Sequence, residues 1–179
     1  MTEKTNQYID QFRAAAEGAG ASVEIISIET DSVSAAISQH LRENSITIFA
    51  SSASLESDLT TTIRNMDGII EHPNDEELEA AWCGITGAFA GIARTGSICV
   101  AVGSDLAGSV SLFTRSHIAL LNIEDLVYCP SDLLQIEESS NTSLLNNMVI
   151  ITGPSATADM GELVRGVHGP GELHIILLE

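Results

Sequence analysis

The sequence predicts an α/β domain of three layers, an open, mainly parallel sheet flanked by helices. Short apolar, β-branched runs without strict alternation recur along the chain, as in strands covered on both faces, and segments with helical apolar spacing separate them. The chain has 179 residues, 44% of them hydrophobic and 18% charged, which suits one domain over 1–179 with a full core and no need for disulfides.

Taken in order, Tyr8, Ile9, Phe12, Ala15, Ala16 and Ala19 fall on one helical face, and Gly18 and Gly20 supply the stop. Ser22 to Ile28 reads as a strand, and Asp31 as the N-cap of a helix carrying Val33, Ala36, Ile37 and Leu41. The pattern repeats with a strand at Ile46 to Ala50 and a helix between Ser54 and Met66. Glu71 to Glu79 is acidic enough for a solvated linker or a helix start. Further strands are expected at Ser97 to Val102, His117 to Leu121, Met148 to Thr152 and Leu173 to Leu178. Functional loops are then expected at the carboxyl ends of the strands. Ile136 to Asn147, rich in acid, Ser and Asn, is the expected mobile loop.

Charge excludes several functions. Twenty-five carboxylates against seven basic residues give a formal charge of -18, which repels nucleic-acid phosphates and anionic lipid. Lys4 is the only lysine and lies in the N-terminal arm, so Schiff-base chemistry and a lysine-bearing phosphate loop are disfavoured. Cys83, Cys99 and Cys129 are isolated from one another and from histidine at ligand spacing, so no metal or iron–sulfur site of the chain's own is expected. No apolar run approaches a membrane span and no signal pattern opens the chain, so a reduced, cytoplasmic setting is expected.

Two segments crowd glycine, hydroxyl and charged residues beside expected strands. In GITGAFAGIARTGS, residues 84–97, the glycines allow tight turns and close approach to backbone N–H groups, and Thr95 and Ser97 add hydroxyls around Gly96. A purely structural glycine-rich hairpin is the alternative. In GPSATADMGELVRGVHGPG, residues 153–171, Gly153 ends a strand, and Ser155, Thr157 or Asp159 would cap a short helix whose N-terminus suits an anion. His168, with room left around it by Gly169, would act as acid or base near neutral pH. A capping Asp159 and a structural His168 are the competing readings. His40, His72, His117 and His174 read as structural, and Trp82 as core or pocket wall.

GPSATAD at 153–159, VRGVHGP at 164–170 with a final LHIILL strand, GITGAFAGIARTGS, and SVSL followed by HIALL resemble the LUD-domain family, the LutC/YkgG-like lactate utilization proteins, in order and spacing. The resemblance implies a fold like that of ribose-5-phosphate isomerase and CoA transferases (NagB/RpiA-like). It also implies a cytoplasmic role in oxidising L-lactate to pyruvate beside partner subunits that carry iron–sulfur clusters. This chain then serves as an accessory or substrate-handling subunit that binds no cofactor itself, and a homo-oligomer is possible. Departures from the family pattern are Arg94 where an acidic residue usually precedes Thr-Gly, Gly108 where Arg tends to precede SVSL, and Gly161 in place of Glu after Asp159-Met160. Arg94 is then placed to hold a small carboxylate by a bidentate pair.

The expected site is an anion pocket with Asp159, His168 and Thr95 as catalytic candidates. Arg94, Gly96, Ser97, Gly153, Ser155, Thr157 and Gly169 would bind a small carboxylate or phosphate. Two other functions fit the sequence: a stand-alone enzyme on a phosphorylated sugar, folate or CoA ester, and a non-catalytic regulatory module with an eroded site.

Overall fold

The structure is a computed structural model and describes residues 3–51, 54–102, 106–136, 147–157 and 161–179. The first half alternates as the apolar spacing requires: α1 (Glu3–Gly18), β1 (Ser22–Ile26), α2 (Thr30–His40), β2 (Ile46–Ala50), α3 (Ser57–Arg64), β3 (Ile69–Ile70) and α4 (Asp75–Ala80). Asp31 lies in the first turn of α2, with Glu29 at the N-cap. The acidic stretch resolves into α4, closed by a capping box in which Asn74 accepts from Glu77 N and Glu77 accepts from Asn74 N.

The second half holds β4 (Ala81–Gly87), β5 (Ala90–Ile92), β6 (Ser97–Ala101), α5 (Ala107–Phe113), β7 (Ser116–Asn122), β8 (Leu126–Val127), α6 (Pro130–Ile136), β9 (Met148–Ile151), β10 (Ala156–Thr157), β11 (Val164–Arg165) and β12 (Glu172–Leu178). The expected mobile loop falls largely on 137–146, outside the described residues.

Six strands form one parallel sheet in the order β1-β12-β7-β4-β2-β3. Side chains alternate across it. Phe49, Ile85, Ile118, Leu120 and Ile176 pack on Val33 and Ile37 of α2 and Leu59 and Ile63 of α3. On the opposite face Ile48, Ala119, Leu121, Ile175 and Leu177 meet Phe12 and Ala16 of α1 and Val110 of α5. Phe12, Phe49 and Leu120 are completely buried, and each such side chain contributes about 1.5–3 kcal/mol by leaving water.

One expectation is corrected here. Ser97–Ala101 and Met148–Ile151 are strands, but they belong to a second sheet, β8-β5-β6-β9, in which β5 pairs β6 and β6 pairs β9 antiparallel. The tight connection from Ile92 to Ser97 permits only an antiparallel hairpin, since a parallel return needs a long crossover. Ile98 and Val100 of this sheet join the core beneath α1, while Ala90, Ile92 and Cys99 face Leu133 of α6. β9 ends the sheet with Val149 and Ile150 exposed.

Candidate functional site

The described residues of 153–171 do not form a strand feeding a helix. They form a two-stranded antiparallel ribbon, Ala156 opposite Arg165 and Thr157 opposite Val164. Ser155 therefore caps no helix N-terminus. Its backbone N–H donates to Pro170 O at 2.8 Å, its carbonyl accepts from Gly166 N at 2.9 Å, and its hydroxyl accepts from His168 N at 3.3 Å. These bonds tie the two ends of the ribbon together. Asp159 lies outside the described residues.

The two glycine-rich segments do meet, through the pairing of β6 with β9. Thr95 Oγ1 lies 2.6 Å from Ser97 Oγ, and Ser97 Oγ lies 2.7 Å from Thr152 Oγ1, a ladder of three hydroxyls across the sheet. Both segments then press on the end of α1. Gly96 has φ 65°, and a Cβ there would lie 2.1 Å from Ala16 N. Gly153 has φ 70°, and its Cβ would lie 2.3 Å from Ala19 O. Only glycine fits a left-handed backbone against another backbone at that distance. At these two positions glycine lets α1 dock.

Two cavities adjoin the ribbon, on either side of Leu112, His168 and Gly169, which line both. They open at the amino ends of the central strands, where Ala81 and Trp82 begin β4, Arg115 and His117 flank the start of β7, and Glu172 and Leu173 begin β12. Loops at the carboxyl ends were the expectation. The ribbon leads directly into β12, so its reach is confined to the strands' beginnings.

The larger cavity, about 950 Å³, is lined by charged groups of both signs: Arg115, Arg165, Glu79 and Glu172. Trp82 forms part of its wall and carries the Arg42 guanidinium 4.4 Å from its ring centroid, a cation–π contact. Arg115 is held by its backbone, whose N–H donates to Trp82 O and whose carbonyl accepts from Gly171 N, both at 2.9 Å. The Arg165 guanidinium reaches toward Gly20 at the end of α1.

The smaller cavity, about 360 Å³, is lined by Thr152, Gly153, Ser155, Ser111 and apolar side chains, with His117 in its wall. His117 is 1% exposed. Its Nε2 lies 2.8 Å from Thr86 Oγ1, and its Nδ1 is buried with no hydrogen-bond partner among the described residues. Burial, and secondarily the nearby His174, push its pKa down to about 4. A buried polar atom left unpaired costs about 1–3 kcal/mol.

The sequence-predicted residues divide between these places. Gly153, Ser155, His168 and Gly169 line cavities, whereas Arg94, Thr95, Gly96, Ser97 and Thr157 line neither. Arg94 is exposed at the β5–β6 turn, its backbone N–H donating to Tyr128 O at 3.0 Å. Sequence reasoning missed Arg115, Arg165 and the special position of His117. A histidine inside the otherwise apolar run HIALL was the available signal, because an apolar strand gives a ring nitrogen no ready partner. His174, read as structural, stacks on His40 with ring centroids 4.0 Å apart, and its Nδ1 lies 2.6 Å from Ser22 Oγ. Burial pushes the thiols of Cys83 and Cys99 up to about 12 and about 11, so both are unreactive.

The fold is that of an open α/β protein with two adjoining cavities at the amino edge of its sheet. The chain belongs to the LUD domain family, which it matches over residues 9–178. It is 25% identical to an uncharacterized protein of Neisseria meningitidis serogroup B over 174 residues, 97% of this chain and 68% of that protein. It is 31% identical over 109 residues to lactate utilization protein C of Bacillus subtilis, covering 59% of this chain and 45% of that one. The protein of that name from Halalkalibacterium halodurans is 34% identical over 108 residues, 58% of this chain and 47% of its own. The chain thus spans about half the length of these two lactate utilization relatives. The crystal structure of a DUF162 family protein from Deinococcus radiodurans superposes with a TM-score of 0.71 at 18% identity over 98% of both chains, the same fold.

Proposed function

We propose that this protein is a LutC-like component of a cytoplasmic L-lactate utilization system, an accessory or substrate-handling subunit that binds a small carboxylate or phosphate in the larger cavity. One observation carries the binding site: Arg115 and Arg165, two of only seven basic residues in a chain of charge -18, line the same cavity. A small anion drawn into so acidic a protein needs local cations, and guanidinium groups bind carboxylate and phosphate through paired N–H donors. His168, in the wall shared by both cavities, is the nearest acid–base candidate. Electrons from lactate would leave through iron–sulfur partner subunits, since Cys83 and Cys99 are buried in the core and Cys129 is a single thiol, short of the set a cluster needs. The relatives named for lactate utilization support the system to which the chain is assigned.

Isothermal titration with L-lactate, pyruvate and phosphate tests the site. At least one should bind the wild type and lose tenfold or more in Arg115→Ala and Arg165→Ala, with Arg94→Ala unchanged. Deleting the gene should abolish growth on L-lactate, and the double arginine variant should fail to restore it. Absent heats with all three anions, together with normal growth of the deletion strain, would overturn the reading.

A further inference from the structure

The smaller cavity differs chemically from the anion site beside it. Its described lining holds no Asp, Glu, Lys or Arg, although the chain as a whole carries 32 such residues, 25 acidic and 7 basic. Leu112, Val149, Ile150, Ile151, Pro154 and Leu173 make the apolar part of the wall, and Ser111, Thr152, Ser155 and His168 its uncharged polar part. An anion placed there would lose hydration with no Lys or Arg in return, so these walls favour uncharged ligands over ionised ones. At about 360 Å³ the cavity is within the size range of small-molecule sites.

Within that wall lies one unsatisfied polar group. His117 is held by Thr86 at Nε2, which leaves Nδ1 as its free valence. The ring is neutral near pH 7, since burial pushes its pKa down to about 4. If the Thr86 hydroxyl donates to Nε2, Nδ1 carries the proton and donates; if Thr86 accepts, Nδ1 accepts. Either way it suits one uncharged oxygen. His117 is part of the cavity wall and its Nδ1 is shielded from solvent, so a ligand must part neighbouring side chains to reach it.

We propose that this cavity is a second binding site, for an uncharged, largely apolar small molecule whose hydroxyl or carbonyl oxygen hydrogen-bonds to Nδ1 of His117. Val149 and Ile150, exposed on the edge strand β9, form its outer lip, and Ala156 of the ribbon stands beside them. Ala156 is exposed and open to enlargement.

The probe is p-cresol, an apolar ring bearing one hydroxyl able to donate or accept, with p-toluate as its anionic counterpart. Imidazole nitrogen NMR on histidine-labelled protein follows all five rings. p-Cresol should shift the His117 nitrogens and bind in the millimolar range, p-toluate should bind at least tenfold more weakly, and His117→Leu should weaken p-cresol at least tenfold. Ala156→Trp, which narrows the mouth from the surface, should abolish the His117 shift and decides the matter if His117→Leu fails to fold. His117 nitrogens unmoved by p-cresol, equal binding of p-toluate, or a shift that persists in Ala156→Trp would each overturn the proposal.

Discussion

The two cavities share a wall yet take opposite characters. Around the larger one, the starts of β4 and β12 and the residue before β7 carry Trp82, Glu172 and Arg115 at the solvent edge, where charge stays hydrated. The smaller one is set slightly further along β7 and β12, at His117 and Leu173, beneath α5 and against the second sheet. Moving one residue along a strand turns the side chain to the other face. A charged site and an uncharged one can therefore be built from consecutive residues of β12, Glu172 on the larger cavity and Leu173 on the smaller.

The most severe way to break this arrangement is Gly153→Ala. The new Cβ would meet the Ala19 carbonyl at 2.3 Å with φ at 70°, so strain and overpacking together should cost about 3 kcal/mol or more. Thermal unfolding should fall by roughly 6–12 °C. The smaller cavity should lose p-cresol binding while the arginine cavity keeps its anion.

Acid sharpens the contrast next. The folded-state pKa of His117, about 4, lies below the ordinary 6.5, so the unfolded chain binds the proton first as pH falls. The neutral ring's contribution is present above pH 6.5 and is lost as pH falls toward 4. Between pH 7 and 5 the wild type should lose about 2 kcal/mol more than His117→Gln in urea denaturation. Equal losses would show that the ring titrates normally.

Arg115→Ala should weaken anion binding at least tenfold, about 1.4 kcal/mol, and leave p-cresol affinity within twofold, because Arg115 lines only the larger cavity. The smallest effect is expected from Thr152→Val, which removes the end of the Thr95–Ser97–Thr152 ladder. It should cost about 1 kcal/mol by denaturant titration and leave anion binding unchanged.

Local pattern made much of the fold legible. Phe12 and Ala16 fall on one face at helical spacing, and the run ITIFA has no room for anything but a buried strand. β4 was hidden because AWCGITG looks like a turn sequence. Gly84 is there for space, since a Cβ would meet Val110 of α5 at 2.4 Å. The ribbon was hidden for a similar reason: Ser155 has the chemistry of a helix cap, but its hydroxyl serves the backbone of His168, thirteen residues on. Short polar side chains satisfy whichever backbone group the tertiary fold brings near, so sequence spacing does not name their partner.

Of the candidate site, the sequence identified the segment that lines both cavities, because glycine, proline, serine and histidine together mark backbone bent for a purpose. By itself the sequence determined the layered α/β class, the helix and core-strand positions and the scarcity of positive charge, all consequences of local periodicity and composition. The tertiary structure decided that Arg115 and Arg165 share one cavity that Arg94 does not line, and that His117 ends with a nitrogen unpaired among the described residues. Those facts depend on which strand edges meet across fifty residues or more of chain, and no local propensity encodes that distance.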